Sequence, residues 1–213
     1  MGMETISIIV QIAALVLAVS VHESAHGWVA LRCGDPTARD LGRITLNPLR
    51  HIDPMGSVVV PALLAFSGAP VFGWAKPVPI SLAHTRHPRS ANLWISAAGP
   101  ASNIVFAAIM TVAVLALRAQ GASLEESNVL QTILLFGVYS VLINIILAVF
   151  NLLPIPPLDG FGVVESLVPP SWYPVVGQMR RWGMLLLLVV IFSGALSSIL
   201  EPIQSFVVNL LVN

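Results

Sequence analysis

The sequence predicts an all-α, polytopic membrane protein. It has about five to six membrane segments and a re-entrant or hairpin element between the first two core helices. Three observations carry this. The 213-residue chain is 56% hydrophobic and only 9% charged, with a mean hydropathy of +0.88, whereas soluble domains carry roughly a quarter charged residues. Four apolar stretches, at about 6–31, 93–117, 129–153 and 182–200, reach the roughly 20 residues that a spanning helix needs. Between the first two, residues 58–72 are apolar but carry Pro61, Gly68 and Pro70, too broken for a plain spanning helix.

The first stretch is not expected to be a cleaved leader. Residues 1–5 hold no Lys or Arg, so the basic flank of a signal peptide is missing, and the apolar run exceeds the roughly 7–15 residues of its core. The path of 58–72 is read from charge. Seven of the ten Lys and Arg, namely Arg32, Arg39, Arg43, Arg50, Lys76, Arg86 and Arg89, flank this element on both sides. A true crossing would place positive charge on both membrane faces, whereas a dip and return keeps all seven on the cytoplasmic face; a re-entrant element is therefore favoured, with a short tilted helix as the alternative. The second long helix then runs outward. The link 118–128, with one Arg and two Glu, suits an outer loop, and the third helix returns inward. The stretch 203–212 is too short to span alone and would extend the last helix past a kink near Pro202 or lie at the interface. No internal repeat or low-complexity linker is present, so 1–213 reads as one domain.

Composition excludes several functions. Net charge is zero, so no basic face speaks for nucleic acid. Cys33 is the single cysteine, which rules out an internal disulfide or a cysteine-based zinc cluster and leaves a small tolerated thiol.

The chemistry lies in His22-Glu23-Ser24-Ala25-His26, inside the first apolar run. Residues four apart on a helix share a face, roughly 5–6 Å apart, so two imidazoles there can hold one zinc ion. Glu23 is placed to accept a proton from water. Ionisable groups within an apolar helix cost several kcal/mol unless they meet a partner or water. Catalytic zinc usually takes three protein ligands. His51, Asp53, His84 and His87 fall in basic, Pro-containing loops, and Glu125 and Glu126 on the opposite face. Asp159 stands apart. It ends the apolar run Asn151-Leu-Leu-Pro-Ile-Pro-Pro-Leu-Asp159-Gly160, whose prolines prevent a plain helix. It reads as the third ligand, or alternatively as a turn cap beside Gly160.

Together, His22-Glu23-x-x-His26 and Asn151-x-x-Pro154-x-x-x-Leu158-Asp159-Gly160 resemble the paired signature of the site-2 protease family of intramembrane zinc metalloproteases, and Gly99-Pro100-Ala101-Ser102-Asn103 is similar to its GxxxN motif. The resemblance covers about residues 6–165, in the short form without a PDZ or CBS module. It implies cleavage of peptide bonds within or near transmembrane segments, with one Zn2+ per chain on His22, His26 and Asp159 and Glu23 as general base. It further implies that Asn151 aids substrate or oxyanion binding, and Asn103 is a second amide donor beside the motifs that could bind substrate; helix–helix hydrogen bonding is the alternative for each. The expected setting is a prokaryotic cell membrane with the site toward the cytoplasm. Partners would be transmembrane protein substrates and lipid, with a separate adaptor or upstream protease open and the oligomeric state unassigned.

The extended stretch 73–79 could pair with an unwound substrate by strand addition or form a structural hairpin over the site, and His51 and Asp53 could gate it. A competing function is a metal-ion transporter with intramembrane His and Asp ligands. It is disfavoured because paired discontinuous repeats are missing and Glu23 would have no task. An inactive helix-binding relative is disfavoured by the intact Glu23.

Overall fold

The structure is a computed structural model that describes residues 3–68, 73–121 and 129–212. In chain order it contains α1 (Met3–Arg32), the short α2 (Thr37–Asp40), a wide π-helical turn (Pro54–Val59) running into α3 (Val60–Ser67), α4 (Pro88–Ala119), α5 (Val129–Asn151), α6 (Asp159–Leu167), α7 (Tyr173–Phe192) and α8 (Ala195–Leu211). No strand occurs among the described residues. Four helices are long and apolar enough to cross a membrane: Glu4–Arg32, Pro88–Ala119, Val129–Asn151 and Pro170–Phe192.

Small residues set how these helices pack. Ala14, Ala18 and Ala30 of α1 are fully buried, and a Cβ on Gly137 of α5 would meet the Val114 side chain of α4 at 2.5 Å. In lipid, where apolar burial gives no net drive, close backbone approach is what holds helices together. Helix α4 is central and packs against α1, α5 and α6. Ala107, Val114, Leu134, Val138, Val141, Val207 and Leu211 form the main cluster, which joins α4, α5 and α8. The outward faces stay apolar, as at Ile8, Ile9 and Ile12 of α1 and Ile104, Val105 and Val112 of α4, which suits lipid contact.

The expectation for the last helix needs correcting. Residues 182–200 do not form one helix, because the chain breaks at Ser193 and Gly194, where Gly194 takes φ 77°, a left-handed value that favours glycine. Helix α7 starts nine residues before Trp182, since Gln178, Arg180 and Arg181 lower hydropathy without breaking the helix. Pro202 lies inside α8 rather than at its start.

The insert between α1 and α4 is a hairpin. It leaves at His51 and returns at Lys76, whose backbone N–H donates to the His51 carbonyl at 2.9 Å. Trp74 N–H donates to the Gly56 carbonyl at 3.0 Å, and the Ser57 hydroxyl donates to the Trp74 carbonyl at 2.9 Å. Both arms touch because Gly56 leaves room for the Trp74 ring, which would lie 2.4 Å from any Cβ there. Residues 69–72 and 122–128 lie outside the described residues, so the outer-loop expectation for 118–128 falls mostly outside them too.

Candidate metal centre and active site

Helix α1 presents His22 and His26 one turn apart, both nearly fully buried. Their Nε2 atoms are 3.1 Å apart. Asp159, the first residue of α6, brings Oδ2 to 3.1 Å from His22 Nε2 and 3.3 Å from His26 Nε2. The α6 start reaches this point because the Pro-rich loop turns sharply. Gly160 permits it: a Cβ there would stand 2.2 Å from the Leu152 carbonyl oxygen.

Each imidazole is oriented from behind. His26 Nδ1 lies 2.6 Å from the Ile95 carbonyl of α4, and a carbonyl only accepts, so Nδ1 carries the proton and Nε2 the lone pair. His22 Nδ1 lies 2.6 Å from Asn103 Oδ1, with the same result. Asn103 Nδ2 donates to Asn144 Oδ1 at 2.7 Å and to the Ala18 carbonyl at 3.3 Å.

Three lone-pair-bearing atoms therefore converge, and no hydrogen bond satisfies Asp159 Oδ2. Their separations of 3.1–3.3 Å match the edge of roughly 3.3 Å of a tetrahedral zinc site with bonds near 2.0–2.1 Å. Gly99 of α4 completes the cradle, since a Cβ there would lie 2.4 Å from His26 Nε2 and 2.6 Å from His22 Nε2. The residues present fit a zinc ion held by His22, His26 and Asp159. Among the described residues these are the one group of three or more His, Cys, Asp or Glu able to hold a metal.

A profile of peptidase family M50 matches residues 10–138 and 119–192. The chain belongs to peptidase family M50. This M50 chain is 35% identical over 90% of its length to YwhC of Bacillus subtilis (strain 168), covering 84% of that protein, which carries a zinc metalloprotease name. It is 29% identical over 89% of its length to Rip2 of Mycolicibacterium smegmatis, covering 69% of that protein, named in the same way. The Rip2 of Mycobacterium tuberculosis (strain H37Rv) is 28% identical over 87% of the chain and 68% of its own length. No solved structure matches. M50 is the site-2 protease family, so the chain is a multi-pass integral membrane zinc metalloprotease.

Glu23 of this M50 chain accepts the Val78 backbone N–H on Oε2 at 2.8 Å. The extended stretch around Val78 is pinned inward. Arg43, itself buried, donates to the carbonyls of Lys76 at 2.7 Å and Pro77 at 3.3 Å. Asp35 is fully buried and accepts from Ser81 N–H at 2.6 Å and Thr37 N–H at 3.0 Å. Burial opposes its charge, but the Ser81 and Thr37 bonds outweigh this and hold its carboxyl below the usual range.

The other expected residues are placed differently. Asn103 is fully buried behind His22 with both ends of its amide engaged. Asn151 ends α5 and donates to the Leu147 carbonyl of its own helix at 2.9 Å. Buried His51 places Nε2 2.8 Å from the Thr45 carbonyl, which also accepts from Ser24. His84 contacts Asp35 at 3.3 Å, away from the metal cradle. Sequence reasoning missed Asn144, Asp35 and Arg43; Val78 lay in the extended 73–79 stretch, but its bond to Glu23 was not foreseen. Asn144 carried a usable signal, the single polar residue in the apolar run from Val141 to Phe150.

Proposed function

We propose that this zinc metalloprotease cleaves peptide bonds within or near transmembrane segments of other proteins, with Glu23 as general base. The observation that carries the reading is the placement of His22, His26 and Asp159 around one point inside the helix bundle, with Glu23 beside them on a membrane-length helix. Zinc, when bound, supplies a Lewis acid that polarises the scissile carbonyl and lowers the pKa of water toward roughly 7. His22, His26 and Asp159 would hold it. Glu23 uses one carboxylate oxygen to accept the Val78 N–H, which fixes its rotamer. Its Oε1 takes the proton of the attacking water and returns it to the leaving amine nitrogen. Asn151 sits where the Asp159 loop begins, and its amide would leave the Leu147 carbonyl, which it bonds at 2.9 Å, to meet the substrate. A donor of this kind is worth about 3 kcal/mol of barrier.

The substrate chain unwinds beside residues 73–79. The inward N–H groups of Trp74, Lys76 and Val78 are already taken and Pro77 has none, so strand addition would use Gly73 and Ala75. Reporter cleavage unchanged by Asn151→Ala and by Ala75→Pro would remove these two roles. The hairpin return keeps Arg39, Arg43, Arg50 and Lys76 at one end of the bundle, which supports a cytoplasmic site in a prokaryotic membrane. Selection of the substrate would rest on the insert or on a separate adaptor or upstream protease.

The deciding variant is Glu23→Gln, measured on a membrane-anchored reporter in proteoliposomes. Zinc content should stay at one per chain while cleavage falls by several orders of magnitude. Cleavage within tenfold of wild type would sink the assignment of Glu23.

A further inference from the structure

Asn144 is fully buried in α5, inside the bundle, and touches no zinc-facing atom. A buried amide in a membrane helix is costly unless satisfied. Its partners are ordered in a chain. Asn144 Nδ2 donates to the Ser140 carbonyl at 2.8 Å. A carbonyl cannot donate, so Asn144 Oδ1 must face the other way, toward Asn103 Nδ2 at 2.7 Å. Asn103 must then turn Oδ1 to His22 Nδ1 at 2.6 Å. Each step fixes the next, and the last one decides which imidazole nitrogen of His22 bears the proton.

The two histidines differ in this respect. His26 is oriented by the Ile95 backbone carbonyl, which cannot flip. His22 is oriented by a side-chain amide, and an amide rotated by half a turn offers NH2 in place of oxygen. A flipped Asn103 would set two donors against each other or move the proton to Nε2, the atom that faces Asp159. The Ala18 carbonyl opposes the flip from 3.3 Å, and Asn144 does so at the shorter distance.

We propose that Asn144 is a positioning residue that locks the Asn103 amide, and through it the His22 tautomer with Nδ1 protonated and Nε2 free for zinc. This rests on the reading of His22 as a ligand. It extends the metal site into α5, a helix that carries no ligand.

The test is zinc titration of the purified full-length protein in detergent, beside its metal-free melting temperature and the 15N imidazole spectrum of His22. Asn144→Leu should weaken zinc by roughly 10- to 100-fold. Asn144→Asp, protonated in this apolar site, keeps an acceptor for Asn103 and a donor for Ser140 and should restore zinc to within a few-fold of wild type. Ser140→Ala keeps the carbonyl and should leave zinc unchanged. In the metal-free wild type, His22 should carry its proton on Nδ1.

Wild-type zinc affinity in folded Asn144→Leu would overturn the proposal. So would Asn144→Asp binding zinc as poorly as the leucine variant, which would mark a packing role. If Asn144→Leu does not fold, the spectrum decides: a His22 proton on Nε2 in the wild type overturns the lock. Zinc binding that survives His22→Ala would instead refute the ligand reading, and the lock's purpose with it.

Discussion

At the scale of residues, the site depends as much on what is missing as on what is present. Gly99 contributes no atom to chemistry, yet its bare Cα is what lets the two Nε2 atoms of α1 approach α4. Gly99→Ala should therefore abolish stoichiometric zinc while leaving helix content by circular dichroism intact, since alanine favours a helix by about 1 kcal/mol over glycine. Retention of one zinc per chain in that variant would show that the cradle is looser than these distances require. The cluster of His22, His26 and Asp159 that could hold a metal was legible from sequence. His22 and His26 follow from helical spacing, and Asp159 from its isolation in an apolar, Pro-rich run. The close approach at Gly99 was not legible beyond its place in a family motif. It depends on which face of α4 meets α1, and a residue without a side chain carries no periodicity signal.

At the scale of elements, two attachments decide how well the site holds its shape. One is α7 against the loop before Asp159. Gly183 lets α7 touch Pro156, where a Cβ would sit 2.4 Å from the Pro156 Cβ, and Arg180 pairs with Glu165 of α6. Gly183→Val should push this loop and weaken zinc by roughly tenfold or more, read by the same titration; an unchanged affinity would mean that α6 holds Asp159 without help from α7. The other is the insert, pinned at Asp35 and Arg43. The Asp35 carboxyl is held below its usual range, so its contribution is present above the unfolded value near 3.9 and is lost as the pH falls through the lower folded value. Asp35→Asn should thus expose the insert to limited proteolysis at pH 7, and the difference from wild type should shrink below about pH 4. A difference that grew on acidification would contradict this. Neither attachment could be read from sequence: Asp35 meets Ser81 and Arg43 meets Lys76 across long stretches of chain, and only the folded hairpin brings them together. The break at Gly194 was missed for another reason, since hydropathy runs on through Ser193 and Gly194 where the backbone does not.

At the scale of the whole molecule, four helices among the described residues are long and apolar enough to cross a membrane, and the site is built from α1, α4 and α6. Charge predicted a dip and return for the insert, and the His51–Lys76 pairing gives it a physical form. The proposed orientation can be checked in a Cys33→Ser background. Cysteine placed at Gln120 should react with a membrane-impermeant thiol reagent on intact cells, and cysteine at Arg50 should not. The reverse labelling would turn the protein over and place proteolysis on the outer face.

Helix α4 has a further consequence. Ile95, Gly99 and Asn103, each four residues from the next and so in helical phase, meet the two histidines, and Asn92 of the same face holds α6 through the Gly162 carbonyl at 3.0 Å. An inserted or deleted residue turns everything beyond it by about 100°. A length change between residues 92 and 103 would swing Asn103 off His22 even if every ligand kept its identity, whereas substitutions on the lipid-facing side of the same turns would pass unnoticed. This part of the chain can vary in spelling but not in count.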